Sequence, residues 1–234
     1  MGDRGTELQR GLEAVRRRIE QACARSDREP SDVTVVVVTK TWPAADVRLL
    51  HELGVRDVGE NRQQELADKV SELGDLDLRW HFVGQIQSKK APRIASGAAV
   101  VHSVDSERVV QRLDVGAQRA GHDLDCLVQV RLDTDQGAAR RGGVSVDRLS
   151  SVVEELEASQ ACRLRGLMAV APLGADPGPA YARLADLAAR LRAEYPRATW
   201  LSAGMSNDLE EAVEAGATHV RVGSAILGQR APLG

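Results

Sequence analysis

Aromatic side chains are scarce in this chain: one phenylalanine, two tyrosines and three tryptophans make up 3% of 234 residues. Proteins that hold single-stranded nucleic acid stack bases on aromatic platforms, so the scarcity argues against that role. An excess of one charge sign is also missing. Lys and Arg number 31 against 34 Asp and Glu, a net charge of −3, which gives no bulk attraction to a polyanion or an anionic membrane. Cysteine is limited to Cys23, Cys126 and Cys162, an odd number with no paired spacing for zinc. They read as small buried thiols in a reducing compartment. No apolar run approaches the roughly 20 residues of a membrane-spanning helix. The first residues are polar and charged, without the apolar stretch of a signal peptide. These absences point to a cytoplasmic protein.

What is present is ordinary for a globular chain: 43% hydrophobic and 28% charged residues. Leu8, Leu12, Val15 and Ile19 recur at helical spacing, which predicts an amphipathic opening helix. The turn-rich segment "SDREPSD" ends it. Short apolar strands follow, at Val33–Thr39, Val55–Gly59, Trp80–Gly84, Val100–Ser103, Asp125–Leu132, Arg163–Ala169, Thr199–Ser202 and Thr218–Val222. Helical patterns separate them, including "PAADVRLLHEL" with Pro43 in its first turn and "SNDLEEAVEAG" with Ser206, Asn207 and Asp208 as capping residues. Strands alternating with helices in this number predict an α/β fold, a (β/α)8 TIM barrel, with an open doubly wound sheet as the runner-up. No linker or low-complexity segment interrupts the pattern. The expectation is a single domain over 1–234, with an N-terminal helix in 1–28 and the barrel over 33–228.

In such a barrel, chemistry sits where strands end. "TVVVVTKTWP" therefore matters: an apolar run buried on both faces ends in Lys40. A lysine there either reaches water or is held at a site as a Schiff-base amine, and the stretch alone leaves both open. The segments after the seventh and eighth strands, "LSAGMSNDLEEAV" and "VRVGSAILG", carry Gly204, Ser206, Gly223 and Ser224. Together they suggest a phosphate site made from backbone N–H groups and hydroxyls. Arg221 shares a strand face with Gly223. If that face is the barrel interior, its buried guanidinium needs an acceptor, either from a ligand or from an internal salt bridge. Asn61 and His81 fall near the same rim.

Taken in order, "VTKT", "VGENR", "WHFVGQIQSKK", "VHSVDS", "GLMAVAP", "LSAGMSNDLEEAV" and "VRVGSAILG" resemble the pyridoxal phosphate homeostasis proteins, also described as YggS-like or PROSC-like. The resemblance runs from about Leu8 to Gly228. It implies a barrel similar to the N-terminal domain of alanine racemase, binding pyridoxal 5'-phosphate (PLP, a vitamin B6 form) as a lysine aldimine. It assigns the aldimine to Lys40, the phosphate to Ser206, Gly223 and Ser224, and the pyridine nitrogen to Arg221. It puts Asn61 near the ring and Met168 and His81 along the pocket. Two positions depart from the family: Lys89 in "QSKK" and Arg131 in "QVRLDTDQGAARRGG", where asparagine is more usual.

An arginine facing the pyridine nitrogen disfavours its protonation and makes the ring a poorer electron sink. Racemisation also needs an acid/base group on each substrate face, and the only tyrosines, Tyr181 and Tyr195, fall on or at the end of an outer helix. No metal is implied, and no racemase C-terminal domain is expected after "ILGQRAPLG". The expectation is thus a non-catalytic, monomeric PLP-binding protein that buffers or delivers the cofactor to PLP-dependent apo-enzymes. The alternatives are a weak PLP-dependent amino-acid racemase and a class I aldolase that uses Lys40 on a sugar phosphate.

Overall fold

The computed structural model describes residues 2–132, 142–172 and 174–229. Part of the "QVRLDTDQGAARRGG" segment and the end of the chain lie outside them. Eight parallel strands close into a barrel in sequence order, with β8 pairing back to β1. They are β1 Thr34–Val38, β2 Asp57–Glu60, β3 Arg79–Phe82, β4 Val100–Val104, β5 Leu124–Gln129, β6 Cys162–Met168, β7 Trp200–Ser202 and β8 His219–Val222. Every expected strand has a counterpart displaced by only a few residues at its ends. The open-sheet alternative is excluded by the β1–β8 register, in which Val36 faces Arg221 and Val37 faces Val222.

The helices are α1 Asp3–Arg25, α2 Ala44–Glu52, α3 Gln63–Glu72, α4 Ala91–Ala95, α5 Glu107–Ala120, α6 Leu149–Ala158, α7 Gly178–Glu194, α8 Leu209–Glu214 and α9 Ser224–Leu227. Leu8, Leu12, Val15 and Ile19 form the buried stripe of α1, which packs on α2, α8 and α9. Each such side chain contributes on the order of 1.5–3 kcal/mol of burial, so α1 is bound into the barrel's wall. Gly11 lets it approach closely, because a Cβ there would lie 2.6 Å from the Ile226 carbonyl oxygen. All three cysteines are buried and unpaired. Among the described residues, no helix is long and apolar enough to cross a membrane.

Strand alternation divides the barrel into two environments. The outward faces carry an apolar layer under the helices, including Val37, Val58, Val101 and Leu167. The inward faces are mixed: Val100, Leu127 and Met168 form a small apolar cluster. Alongside it stand the buried polar side chains of His81, His102, Ser202, His219 and Arg221.

Candidate functional site

A cavity of about 770 Å³ opens at the C-terminal ends of the strands. Lys40, Asn61, Met168, Ser206, Arg221, Gly223 and Ser224 all line it, so seven of the eight residues expected at a cofactor site converge there. The eighth does not. His81 is fully buried within the barrel and is absent from the cavity wall. Its Nδ1 lies 2.8 Å from His102 Nε2 and its Nε2 lies 2.9 Å from Asp57 Oδ1. Strand alternation puts it inside, but its register places it below the mouth.

Lys40 lies two residues beyond β1, exposed at the rim. Its backbone is held on both sides. Before it, Thr39 is buried: its hydroxyl donates to Glu60 Oε1 at 2.6 Å, and its carbonyl accepts from Lys69 Nζ at 2.8 Å. Lys69 also donates to Glu60 Oε1 at 2.5 Å, forming an ion pair with both side chains buried. Burial pushes the Glu60 carboxyl up, against the opposing pull of Lys69 and Thr39. After Lys40, Thr41 adopts a left-handed φ of 66°, rare for a β-branched residue. Its N–H donates to Glu65 Oε2 at 2.7 Å. A strained turn persists only when its surroundings over-determine it, and α3 supplies that constraint here. Glu60, Glu65 and Lys69 were not singled out from sequence. Glu60 and Lys69 lie nine positions apart in "ENRQQELADK", where nothing local marks them as partners.

Across the barrel seam, Gly223 follows β8 next to Val38 of β1, and a Cβ on it would lie 3.2 Å from the Val38 carbonyl oxygen. Gly204 follows β7 with φ +87°, and a Cβ there would lie 2.7 Å from the Ala212 Cβ. Gly223 thus lies close on β1 and Gly204 close on α8, and the post-β7 and post-β8 turns meet through their serines. Ser224 Oγ lies 3.1 Å from Ser206 Oγ, which also accepts the Ala225 N–H at 3.3 Å. Ser206 does not start α8; the helix begins at Leu209. The Asp208 carboxylate instead accepts the Met205 N–H at 2.6 Å and the Tyr181 hydroxyl at 2.6 Å. That leaves Ser206 in the turn. Arg18 of α1 reaches the same turn, donating to the Ser206 carbonyl at 2.8 Å while a two-pronged ion pair fixes it to Glu210.

Arg221 forms the floor, 5% exposed. It donates to Ser202 Oγ at 2.6 Å and to the Ala169 carbonyl at 2.9 Å. Desolvation lowers its pKa, although a guanidinium keeps its charge. No salt bridge to Arg221 occurs among the described residues, so the internal ion pair considered from sequence is absent and its acceptors are neutral oxygens. Asn61 Oδ1 is buried and has no hydrogen-bond partner among the described residues. A buried acceptor of this kind on a cavity wall suits a polar ligand. The donor set fits a molecule with an aldehyde, a ring nitrogen and a phosphate: an amine on one side, two hydroxyls in a glycine-hinged turn on the other, and a guanidinium between.

Residues 11–231 match the family described as alanine racemase, N-terminal domain. The pyridoxal phosphate homeostasis protein of Mycobacterium tuberculosis strain H37Rv is 42% identical over 250 residues, covering 97% of this chain and 95% of that one. Among solved structures, PipY of Synechococcus elongatus PCC7942 with PLP bound is similar at a TM-score of 0.81 and 36% identity, covering 94% of this chain and 100% of PipY. An alanine racemase of Clostridium difficile 630 superposes at a TM-score of 0.73 with 14% identity, covering 96% of this chain and 57% of the racemase. At that identity the likeness is one of fold.

Proposed function

The chain belongs to the pyridoxal phosphate homeostasis proteins, within the alanine racemase N-terminal domain family, and we propose that its cavity is where it holds PLP in that role. Lys40 would be the amine that holds PLP through its aldehyde. Ser206, Ser224 and the Gly223 backbone would hold the phosphate, Arg221 would meet the ring nitrogen, and Asn61 and Met168 would border the ring. The observation that carries this reading is the convergence of Lys40, Arg221, Ser206 and Ser224 on one cavity from the first, seventh and eighth strands. When bound, PLP supplies an electrophilic aldehyde and an electron-accepting ring.

The protein serves as a reservoir and donor of PLP, not as a catalyst. Arg221 places a fixed positive charge where the ring nitrogen would otherwise take a proton, which weakens the ring as an electron sink. Neither tyrosine is placed to act as a second acid/base. The Tyr181 hydroxyl is committed to Asp208, and burial together with that carboxylate pushes its pKa well above the ordinary tyrosine value. Tyr195 caps the far end of α7 and lies off the cavity wall. Lys40 is exposed, so the cofactor is within reach of PLP-dependent apo-enzymes. The chain acts as a monomer in the cytoplasm; its three buried, unpaired thiols support the reducing compartment.

Adding PLP to the purified protein, reducing with borohydride and mapping the modified peptide tests the site. The expected adduct lies on Lys40 and is lost in Lys40→Ala. An adduct spread over surface lysines, or no visible band, refutes it. Deuterium exchange at the α-carbon of amino acids then tests the non-catalytic role. Exchange that is robust and depends on Lys40 would make the protein a weak racemase instead.

A further inference from the structure

Five polar side chains run in single file through the barrel. Asp57 opens β2 at the N-terminal end of the strands, opposite the Lys40 cavity, and borders a separate pocket there. His81 Nε2 lies 2.9 Å from Asp57 Oδ1, and His81 Nδ1 lies 2.8 Å from His102 Nε2. His102 Nδ1 lies 2.8 Å from Ser202 Oγ, and Arg221 Nη1 donates to that same oxygen at 2.6 Å. His81 and His102 are both fully buried.

The proton positions follow from the two ends. A carboxylate only accepts and a guanidinium only donates. Asp57 therefore takes the Nε2 proton of His81. A neutral His81 then has a bare Nδ1, which must accept the Nε2 proton of His102. His102 in turn has a bare Nδ1, which accepts the Ser202 hydroxyl proton, and the Ser202 oxygen accepts from Arg221. Every donor and acceptor is used once. The reverse order fails: if His102 Nδ1 carried the proton, its bare Nε2 would face the bare Nδ1 of His81 at 2.8 Å with no proton between them. Burial lowers the pKa of both imidazoles, which keeps them neutral. Asp57 is held below its ordinary value: burial alone would raise it, but the His81 bond and nearby Arg79 outweigh that.

We propose that Asp57, His81, His102 and Ser202 form a one-way hydrogen-bonded relay that orients Arg221 and links its charge to a carboxylate at the opposite mouth of the barrel. The four are positioning residues, acting on the cofactor only through Arg221. Each bond in such a chain polarises the next, so a change at Asp57 is felt at Arg221. The groups facing the relay are Arg79 and Asp125 beside Asp57, and His219, whose ring centroid lies 6.4 Å from that of His81 and 6.1 Å from that of His102. The relay's effect on PLP rests on the function proposed above; its proton order does not.

The test begins without cofactor. Nitrogen-15 NMR of labelled histidine in the unliganded protein should show His81 and His102 as neutral Nε2–H tautomers at pH 7. An Nδ1–H tautomer or a cationic ring at either position overturns the proposal, and this readout needs no variant to fold. With PLP added, Asp57→Asn should shift the visible band and weaken retention about fivefold or more, within the range of coupling between distinct sites. In a Ser202→Ala background, which cuts the relay, Asp57→Asn should have no further effect. An unchanged band in Asp57→Asn, or the same loss in both backgrounds, refutes transmission. Failure of wild type to form a Lys40 adduct would refute the proposed function and leave the tautomer result to decide the relay's order.

Discussion

Lowering the pH of the unliganded protein from 7 to 4.5 is expected to remove about 2–3 kcal/mol of stability through one side chain, His219. The residue opens β8, is 4% exposed, and lies against Trp200 with ring centroids 4.6 Å apart. Desolvation, with Arg79 and Arg221 adding repulsion against the pull of Asp57, takes its pKa from 6.5 down to about 3. A depressed base binds fewer protons folded than unfolded, so its cost is absent above 6.5 and grows as pH falls toward the folded value. At pH 4.5 the unfolded chain holds this proton and the native chain does not, over two pH units at about 1.4 kcal/mol each. Urea unfolding followed by circular dichroism at pH 7, 6, 5 and 4.5 would measure the slope. His219→Met removes the titration while keeping an apolar filler of similar size. The comparison between variants matters, because His81 and His102 lose stability in the same direction on acidification. Equal losses in wild type and His219→Met would refute the claim that His219 is held neutral.

The buried Lys69–Glu60 pair gives a second prediction. Lys69→Met leaves Glu60 buried without its cation and should destabilise by roughly 3–5 kcal/mol in urea unfolding. Glu60→Gln in the same background should recover part of that loss, and no recovery would mean that the pair is not the cause. At the proposed phosphate turn and at the cavity floor, Ser206→Ala and Arg221→Ala should each weaken PLP retention by about 1.5–3 kcal/mol, measured by equilibrium dialysis. Unchanged affinity in both would displace PLP from this cavity. Arg18→Ala should lower PLP affinity severalfold although α1 lies outside the barrel, since Arg18 holds the Ser206 carbonyl. An effect on stability alone would limit Arg18 to packing.

The barrel was legible because its signals are local and repeated. Valine-rich strands, helical periods and glycine-bearing turns recur in register, and each constrains the next element. The rim residues were legible for a related reason: a residue just past a strand end faces the mouth in this architecture, whatever the rest of the chain does. That rule places Lys40, Asn61, Ser206, Gly223 and Ser224 on the cavity wall, strand alternation adds Arg221, and Met168, the last residue of β6, entered only through the family resemblance. The same rule misplaces His81. It lies inside β3, one residue before the strand's end, and its depth depends on how β2 and β3 are staggered, with Gly59 opposite it. Stagger around a closed barrel is a property of all eight strands together, so no window of sequence carries it. Lys69 and Arg18 were missed because each serves another segment's backbone, the Thr39 and Ser206 carbonyls, and a backbone acceptor leaves no mark in the sequence.

The interior polarity bears on why this barrel suits holding a cofactor. A buried guanidinium that met a carboxylate directly would be neutralised where it stands, and its field at the ring nitrogen would be largely cancelled. Here the nearest acceptors of Arg221 are a hydroxyl and a carbonyl, both neutral, while Asp57 is three bridging side chains away. The arginine thus keeps its field toward the cavity and is still fixed by a satisfied network. A site meant to draw electrons from a substrate into the ring would place an acid at that nitrogen. A permanent cation at that nitrogen, the place proposed for Arg221, would do the reverse and leave the ring a weak electron sink. Replacing Arg221 with glutamate separates retention from reactivity. If the cation limits reactivity, Arg221→Glu should hold PLP less well but exchange amino-acid α-protons faster per bound PLP, read by deuterium incorporation. Slower exchange per bound PLP would show that the arginine is not what restrains the ring.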